Sequence, residues 1–227
     1  MKPRNYRSSI PTSATEVVEE TFGCGAKKSA FFFLRGEKVG NRSWSESGEL
    51  EFEYGIKNGE KHGREYCFCE NGQPYEMTPY RNGRIHGTGK QWSAEGKVVI
   101  TYKLINGTGL DLWCGNEKYT LSEEHYCPRD DEAGYRREWN DDEKTINTEY
   151  YFVNGKGYHG IWREWNKKGK LRRGFPQYYV NDGRVTKRQY LKACEKDGML
   201  SRYRPEEDRP YRKLPPEYVV QRKKKRH

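Results

Sequence analysis

A chain of 227 residues of which only 33% are hydrophobic, with 14% aromatic and 33% charged, is too polar for the thick two-layer core its length would otherwise allow. Its 43 Lys and Arg against 33 Asp and Glu give a net charge of +10, which favours a protein partner with acidic surface, RNA, DNA or anionic lipid. The apolar run nearest the start, Phe31-Phe32-Phe33-Leu34, is far too short for a signal-peptide core or a transmembrane segment; six cysteines without a C-x-x-C pair add the expectation of reduced thiols and a cytoplasmic location.

Residues 1–30 are rich in Ser, Thr and Pro up to Glu16-Val17-Val18-Glu19-Glu20, which reads as a short strand or helix capping the first repeat. From residue 31 to 190 a phrase recurs. Asn58-Gly59-Glu60-Lys61-His62-Gly63 and Asn82-Gly83-Arg84-Ile85-His86-Gly87 stand 24 residues apart, and Asn106-Gly107 comes after another 24. The phrase returns as Asn154-Gly155-Lys156-Gly157-Tyr158-His159-Gly160, and Asp182-Gly183 reads as a last variant turn. An aromatic follows Gly63, Gly87 and Gly160 by five residues (Phe68, Trp92, Trp165), with a second glycine four later (Gly72, Gly96, Gly169). Gly134 with Trp139 is a worn copy, and Gly40, Trp44 and Gly48 are a shortened one.

A fixed period of this size predicts stacked units, each too small to bury an apolar face alone. Asn-Gly supplies the positive φ that tight hairpins need. Between the turns the pattern alternates: Phe52, Tyr54 and Ile56 oppose Glu51, Glu53 and Gly55, and Val98, Ile100, Tyr102 and Leu104 repeat the rhythm. Period two predicts half-buried antiparallel strands with the apolar set inward. Apolar residues two before each turn (Ile56, Tyr80, Leu104, Phe152, Val180) are expected to pin the register by burial. The fold class predicted is all-β: an open, single-layer antiparallel meander of hairpin repeats with short capping flanks, each ring burying roughly 150–250 Å².

The run Tyr54-x-x-x-Asn58-Gly59-x-x-His62-Gly63 and the turn Glu70-Asn71-Gly72 resemble MORN repeats, and the 24-residue variant is similar to the repeat of bacterial YwqK-type antitoxin proteins. The resemblance covers residues 31–190 and departs from the pattern at Leu110-Asp111 and Arg129-Asp130. It implies a hairpin array used for protein or lipid contacts, without catalysis.

After residue 190, Leu191–Leu200 reads as a short helix ended by Gly198, and Pro205, Pro210, Pro215 and Pro216 predict an extended tail. One flank is expected to cover each exposed end of the ladder. From Arg202 to His227 there are ten Lys or Arg against four acids, +6 of the whole net charge. Its terminal cluster Arg222, Lys223, Lys224, Lys225 and Arg226 is either a solvated end or a site for RNA, DNA or anionic lipid.

Trp92, Trp162 and Trp165 are the candidate protein-binding anchors, because tryptophan is the residue type that carries interface energy. A runner-up function is nucleic-acid binding by exposed Tyr and Trp beside Lys and Arg. His62, His86 and His159 are expected to brace their own turns; equivalent positions in a hairpin ladder lie roughly 9–10 Å apart, too far to share a metal. Asp130-Asp131-Glu132 and Asp141-Asp142-Glu143 read as solvated turn carboxylates. No phosphate loop, zinc-protease helix or nucleophile elbow is present, so neither an enzyme nor a cofactor is predicted.

Overall fold

The computed structural model describes residues 5–115, 118–129, 132–153 and 156–218. Two compact units divide the chain at Asn106 and Gly107. In the first, β1 (Thr15–Thr21), β2 (Lys27–Leu34), β3 (Glu37–Trp44), β4 (Leu50–Lys57), β5 (Glu60–Phe68) and β6 (Pro74–Arg81) pair antiparallel in chain order. β7 (Arg84–Ile85) and β8 (Gly87–Trp92) both return along β6, and β9 (Val98–Ile105) pairs with β8. In the second unit β10 (Thr108–Trp113), β11 (Glu123–Cys127), β12 (Ala133–Trp139) and β13 (Ile146–Val153) are likewise sequential. β14 (Gly157–Tyr158) and β15 (Gly160–Glu164) return along β13, and β16 (Gln177–Val180) and β17 (Gly183–Val185) complete the series. Each unit is an open antiparallel meander, not closed into a barrel. No helix among the described residues is long and apolar enough to cross a membrane.

The 24-residue period is one hairpin with its two turns, and the two turns differ. One kind has both central residues left-handed, as at Asn58-Gly59 (φ 53° and 79°) and Asn82-Gly83 (φ 50° and 73°). This is the turn whose twist suits paired strands. The other kind places one left-handed glycine after a tight turn: Gly72 N–H donates to Cys69 O while Cys69 N–H donates to Gln73 O, and Gly48, Gly96 and Gly169 repeat the arrangement. Arg35-Gly36 makes a further turn of the first kind without the Asn-Gly signature. The last turn is Asn181-Asp182 rather than Asp182-Gly183, because Val180 pairs with Gly183 and both turn residues have positive φ. The Asn154-Gly155 copy lies outside the described residues.

In β9 the alternation holds, with Ile100, Tyr102 and Leu104 buried and Lys103 exposed, but in β4 and β13 the facing is inverted. Glu53 is fully buried, and Gly55 beside it is buried too, whereas Phe52, Tyr54 and Ile56 are half-exposed. In the second unit Glu149 is fully buried and its neighbour Tyr150 is not. Of the apolar residues two before the turns, only Leu104 is buried.

The cause is what covers each sheet. The first flank supplies β1, which pairs along the edge of β2 as the short strand expected at Glu16–Glu20, while the remaining flank segments lie across faces. In the first unit the segment Tyr6–Ile10 covers the face of Ala30, Phe32, Glu53 and Tyr66, with Ile10 packed among Ala30 and Phe32 and Tyr6 against Tyr66 and Phe68. Strand β1 remains exposed along its whole length.

In the second unit the segment after β17 does the same. The helix α1 (Lys187–Cys194) starts four residues earlier than expected, because Thr186 and Gln189 form a capping box, and it ends at Cys194. Its Tyr190, with Leu200, joins Ile161 and Tyr178 in a buried cluster. The chain beyond it folds back instead of extending: Pro205–Asp208 form a short 3-10 turn, Ile146 N–H donates to Pro210 O, and Tyr218 is 1% exposed.

Candidate binding face

Each sheet has a covered face built around a buried carboxylate. In the first unit Arg42 Nε donates to Glu53 Oε2 at 2.6 Å and the Tyr6 hydroxyl donates to the same oxygen at 2.5 Å. Burial and the adjacent Glu53 charge push the Tyr6 hydroxyl up to about 12.

In the second unit Glu149 is gripped by three guanidiniums. Arg212 donates to both its oxygens, at 2.6 and 3.0 Å; Arg137 Nε donates at 2.7 Å and Arg163 at 3.4 Å. Arg163 is itself fully buried and pairs with Asp208 at 3.1 Å and Glu207 at 3.3 Å. Burial alone would raise the Glu149 carboxyl, but Arg212 and Arg137 outweigh it and hold it below the ordinary carboxylate range. Glu143 is also buried, accepting from Leu121 N–H at 3.1 Å and from the Tyr218 hydroxyl. It is therefore a packing residue rather than the solvated turn acid its sequence context suggests. Asp130 and Asp131 lie outside the described residues.

Two of the three motif histidines are braces, but for the next hairpin along, whereas the buried His62 Nδ1 has no hydrogen-bond partner among the described residues and braces no turn through it. The His86 imidazole bonds Asn106, 20 residues on, through side chain (2.8 Å) and backbone N–H (3.3 Å). His159 Nδ1 accepts from Asn181 N–H at 3.1 Å, 22 residues on, and its Nε2 meets Asp197 at 3.1 Å. With Nδ1 an acceptor, the ring is neutral and carries its hydrogen on Nε2. Burial pulls the His159 pKa down, against the raising effect of Asp197. Among the described residues no cluster of three or more His, Cys, Asp or Glu is placed to hold a metal.

The lowered His159 value fixes the sign of a pH effect. The unfolded chain takes up this proton more readily than the folded one, so its contribution is complete above about pH 6.5 and is lost as pH falls toward the lower folded value. His125, lowered by burial and by Arg136, acts in the same direction. The melting temperature is expected to fall from pH 7.5 to pH 5.5, with a shallower slope in His159→Gln. A flat profile, or an unchanged slope in the variant, contradicts the assignment.

The opposite face carries a second set of aromatics, which are only partly buried. Strand parity decides which tryptophan goes where. Ile161, Arg163 and Trp165 point to the covered side and Trp162 to the open one. Trp165 is 2% exposed, with its indole N–H donated to Asp208 O at 2.7 Å, and Trp92 is 5% exposed among Tyr66, Phe68 and Met77. Both are core residues and cannot serve as surface anchors.

Trp162 instead sits in a half-exposed ring cluster. It stacks on Tyr158 (centroids 5.0 Å, planes 23° apart), with Tyr150 at 5.8 Å, Phe175 at 6.1 Å and Tyr179 at 6.2 Å. Tyr158 in turn meets Tyr150 and Tyr179 at 5.3 Å. Sequence reasoning passed over the four partners of Trp162, although their parity relative to the buried Trp165, Glu149 and Tyr178 was available. Beside them Arg136, opposite Tyr150, pairs with Glu123 at 2.5 Å, and Glu164 lies on the same face opposite Thr148. The corresponding face of the first unit differs, because Lys61 fills it. Its ammonium lies 4.9–5.5 Å from the ring centroids of Phe52, Tyr54 and Tyr80 and is paired with Glu65.

The basic cluster Arg222, Lys223, Lys224, Lys225 and Arg226 lies outside the described residues. Arg212, counted with it in the charge excess, is committed to Glu149. Compared with known proteins, the chain matches no family model and no curated sequence.

Proposed function

We propose that this chain is a non-catalytic binding module that engages another protein through the open aromatic face of its second unit. The observation that carries this reading is the half-exposed cluster of Tyr150, Tyr158, Trp162, Phe175 and Tyr179, whose rings contact one another outside the covered core. Stacked Tyr and Trp give a large contact area at low conformational-entropy cost, and they dominate measured interface energies. The net charge of +10 steers such a surface toward a partner with acidic surface. The likeness to MORN repeats supports the same use of a hairpin ladder, and an antitoxin-like or effector-regulating role is its most specific form. The face mixes Arg136 with Glu123 and Glu164, so it does not offer the continuous cationic track that single-stranded nucleic acid requires.

The test is affinity capture from the native host with the purified chain, after nuclease treatment, comparing it with a Trp162→Ala, Tyr179→Ala double variant whose fold is checked by circular dichroism. Loss of the captured protein by the folded variant is expected, with at least a tenfold weaker affinity once the partner is purified. Full retention by the folded variant overturns the reading.

A further inference from the structure

The segment Tyr6–Ile10 lies on the first sheet without joining it as a strand. Among the described residues, each of its hydrogen bonds to the sheet runs through a side chain. The Tyr6 hydroxyl donates to Glu53, Arg7 N–H donates to the Tyr66 hydroxyl at 3.2 Å, and Arg64 N–H donates to Ser9 Oγ at 2.6 Å. Its seat is a trough floored by glycine. A Cβ on Gly55 or Gly63 would come within 2.8 Å of Ser9 Cβ, and one on Gly40 would overlap the Ile10 side chain. Gly40 and Gly55 do not have positive φ, so what excludes a side chain there is crowding by the seated segment and the adjacent strand, not backbone conformation.

The trough reads its occupant at three points. Glu53, fully buried and charge-balanced by Arg42, accepts the tyrosine hydroxyl, and its second oxygen has no hydrogen-bond partner. The exposed Arg64 amide takes the serine hydroxyl. The space above Gly40, beside Ala30 and Phe32, takes the isoleucine. Ligand and groove are joined only through residues 11–14, where Ala14 N–H donates back to Pro11 O at 3.1 Å. A short hinge of this kind is the usual site at which an element is exchanged between identical chains.

We propose that the trough is a peptide-binding groove that recognises an extended Tyr-x-x-Ser-Ile segment, and that it takes this segment from a second copy of the chain as well as from its own. The attached segment competes at an effective concentration on the order of millimolar. Exchange therefore needs high chain concentration or passage through an open state.

The experiment titrates a fluorescein-labelled peptide of residues 5–12 into two full-length proteins, with binding read by anisotropy: the unaltered chain, and a Tyr6→Ala, Ser9→Ala chain whose trough is intact but whose own segment is loosened. Saturable binding to the loosened chain is expected, at least tenfold tighter than to the unaltered one, and weakened by Tyr→Phe in the peptide. Refolded at high concentration, the unaltered chain should yield dimers in sedimentation that the loosened chain does not. If the double variant fails to fold, the Ser9→Ala chain replaces it. Absence of peptide binding to the folded loosened chain overturns the groove. Binding without dimers at any concentration overturns the second copy as its source.

Discussion

Replacing Glu149 with Gln should destabilise the second unit by about 3–5 kcal/mol, the cost of removing one partner from a buried ion cluster. The carboxylate has no exposed surface and accepts from Arg137, Arg163 and Arg212, of which Arg163 is itself fully buried. Without it three guanidiniums face one another in a site from which water is excluded, with only Glu124, Glu207 and Asp208 left to balance them. Because Arg212 reaches Glu149 from 63 residues away, the loss should also loosen the segment after α1. Denaturant unfolding monitored in the second unit gives the magnitude. Since the Glu149 pKa is held down in the folded state, its contribution is present above the unfolded carboxylate range and is lost as pH falls through the folded value; the gap between the two proteins should therefore narrow in acid. A penalty under about 1 kcal/mol at pH 7 would mean that the cluster is hydrated.

Trp165→Ala is the second large effect, about 3–5 kcal/mol for emptying a buried tryptophan site. Its ring has the Arg212 guanidinium at 5.5 Å and donates to Asp208 O, so it holds the returning C-terminal segment as well as filling the core. Trp162→Ala, three residues earlier, should lose less, about 1–2 kcal/mol, because its ring is only partly buried and its site opens to solvent instead of leaving a closed cavity. Comparable losses at the two positions would remove the distinction between core and open face on which the proposed function rests.

The hairpin ladder was legible because its signals are local. Asn58-Gly59 and Asn82-Gly83 specify turns through their own φ values, and the aromatic five residues after Gly63 or Gly87 does land in the core as Phe68 or Trp92. Facing was legible in β9, where Ile100, Tyr102 and Leu104 are inward as the alternation predicts, but not in β4 and β13, where it depends on remote segments. Glu53 and Glu149 look like solvent-facing charges until Tyr6, 47 residues away, and Arg212, 63 residues away, are seen to satisfy them. Burying a charge requires such pairing, and no window of alternating residues reports it. The same long-range coupling turned the expected basic tail around Arg212 into part of the core. The candidate site was half readable: Trp162 was named, but it was grouped with Trp92 and Trp165, and only strand parity separates them.

Brief hydroxyl-radical exposure of the intact chain, with oxidation read at each tyrosine and tryptophan by mass spectrometry, tests the division into covered and open faces most directly. Rapid modification of Trp162, Tyr150, Tyr158 and Tyr179 is predicted, with Trp92, Trp165, Tyr66 and Tyr190 protected until the chain unfolds. Trp92 and Trp165 oxidising as fast as Trp162, or a protected Tyr150, Tyr158 and Tyr179, would contradict it.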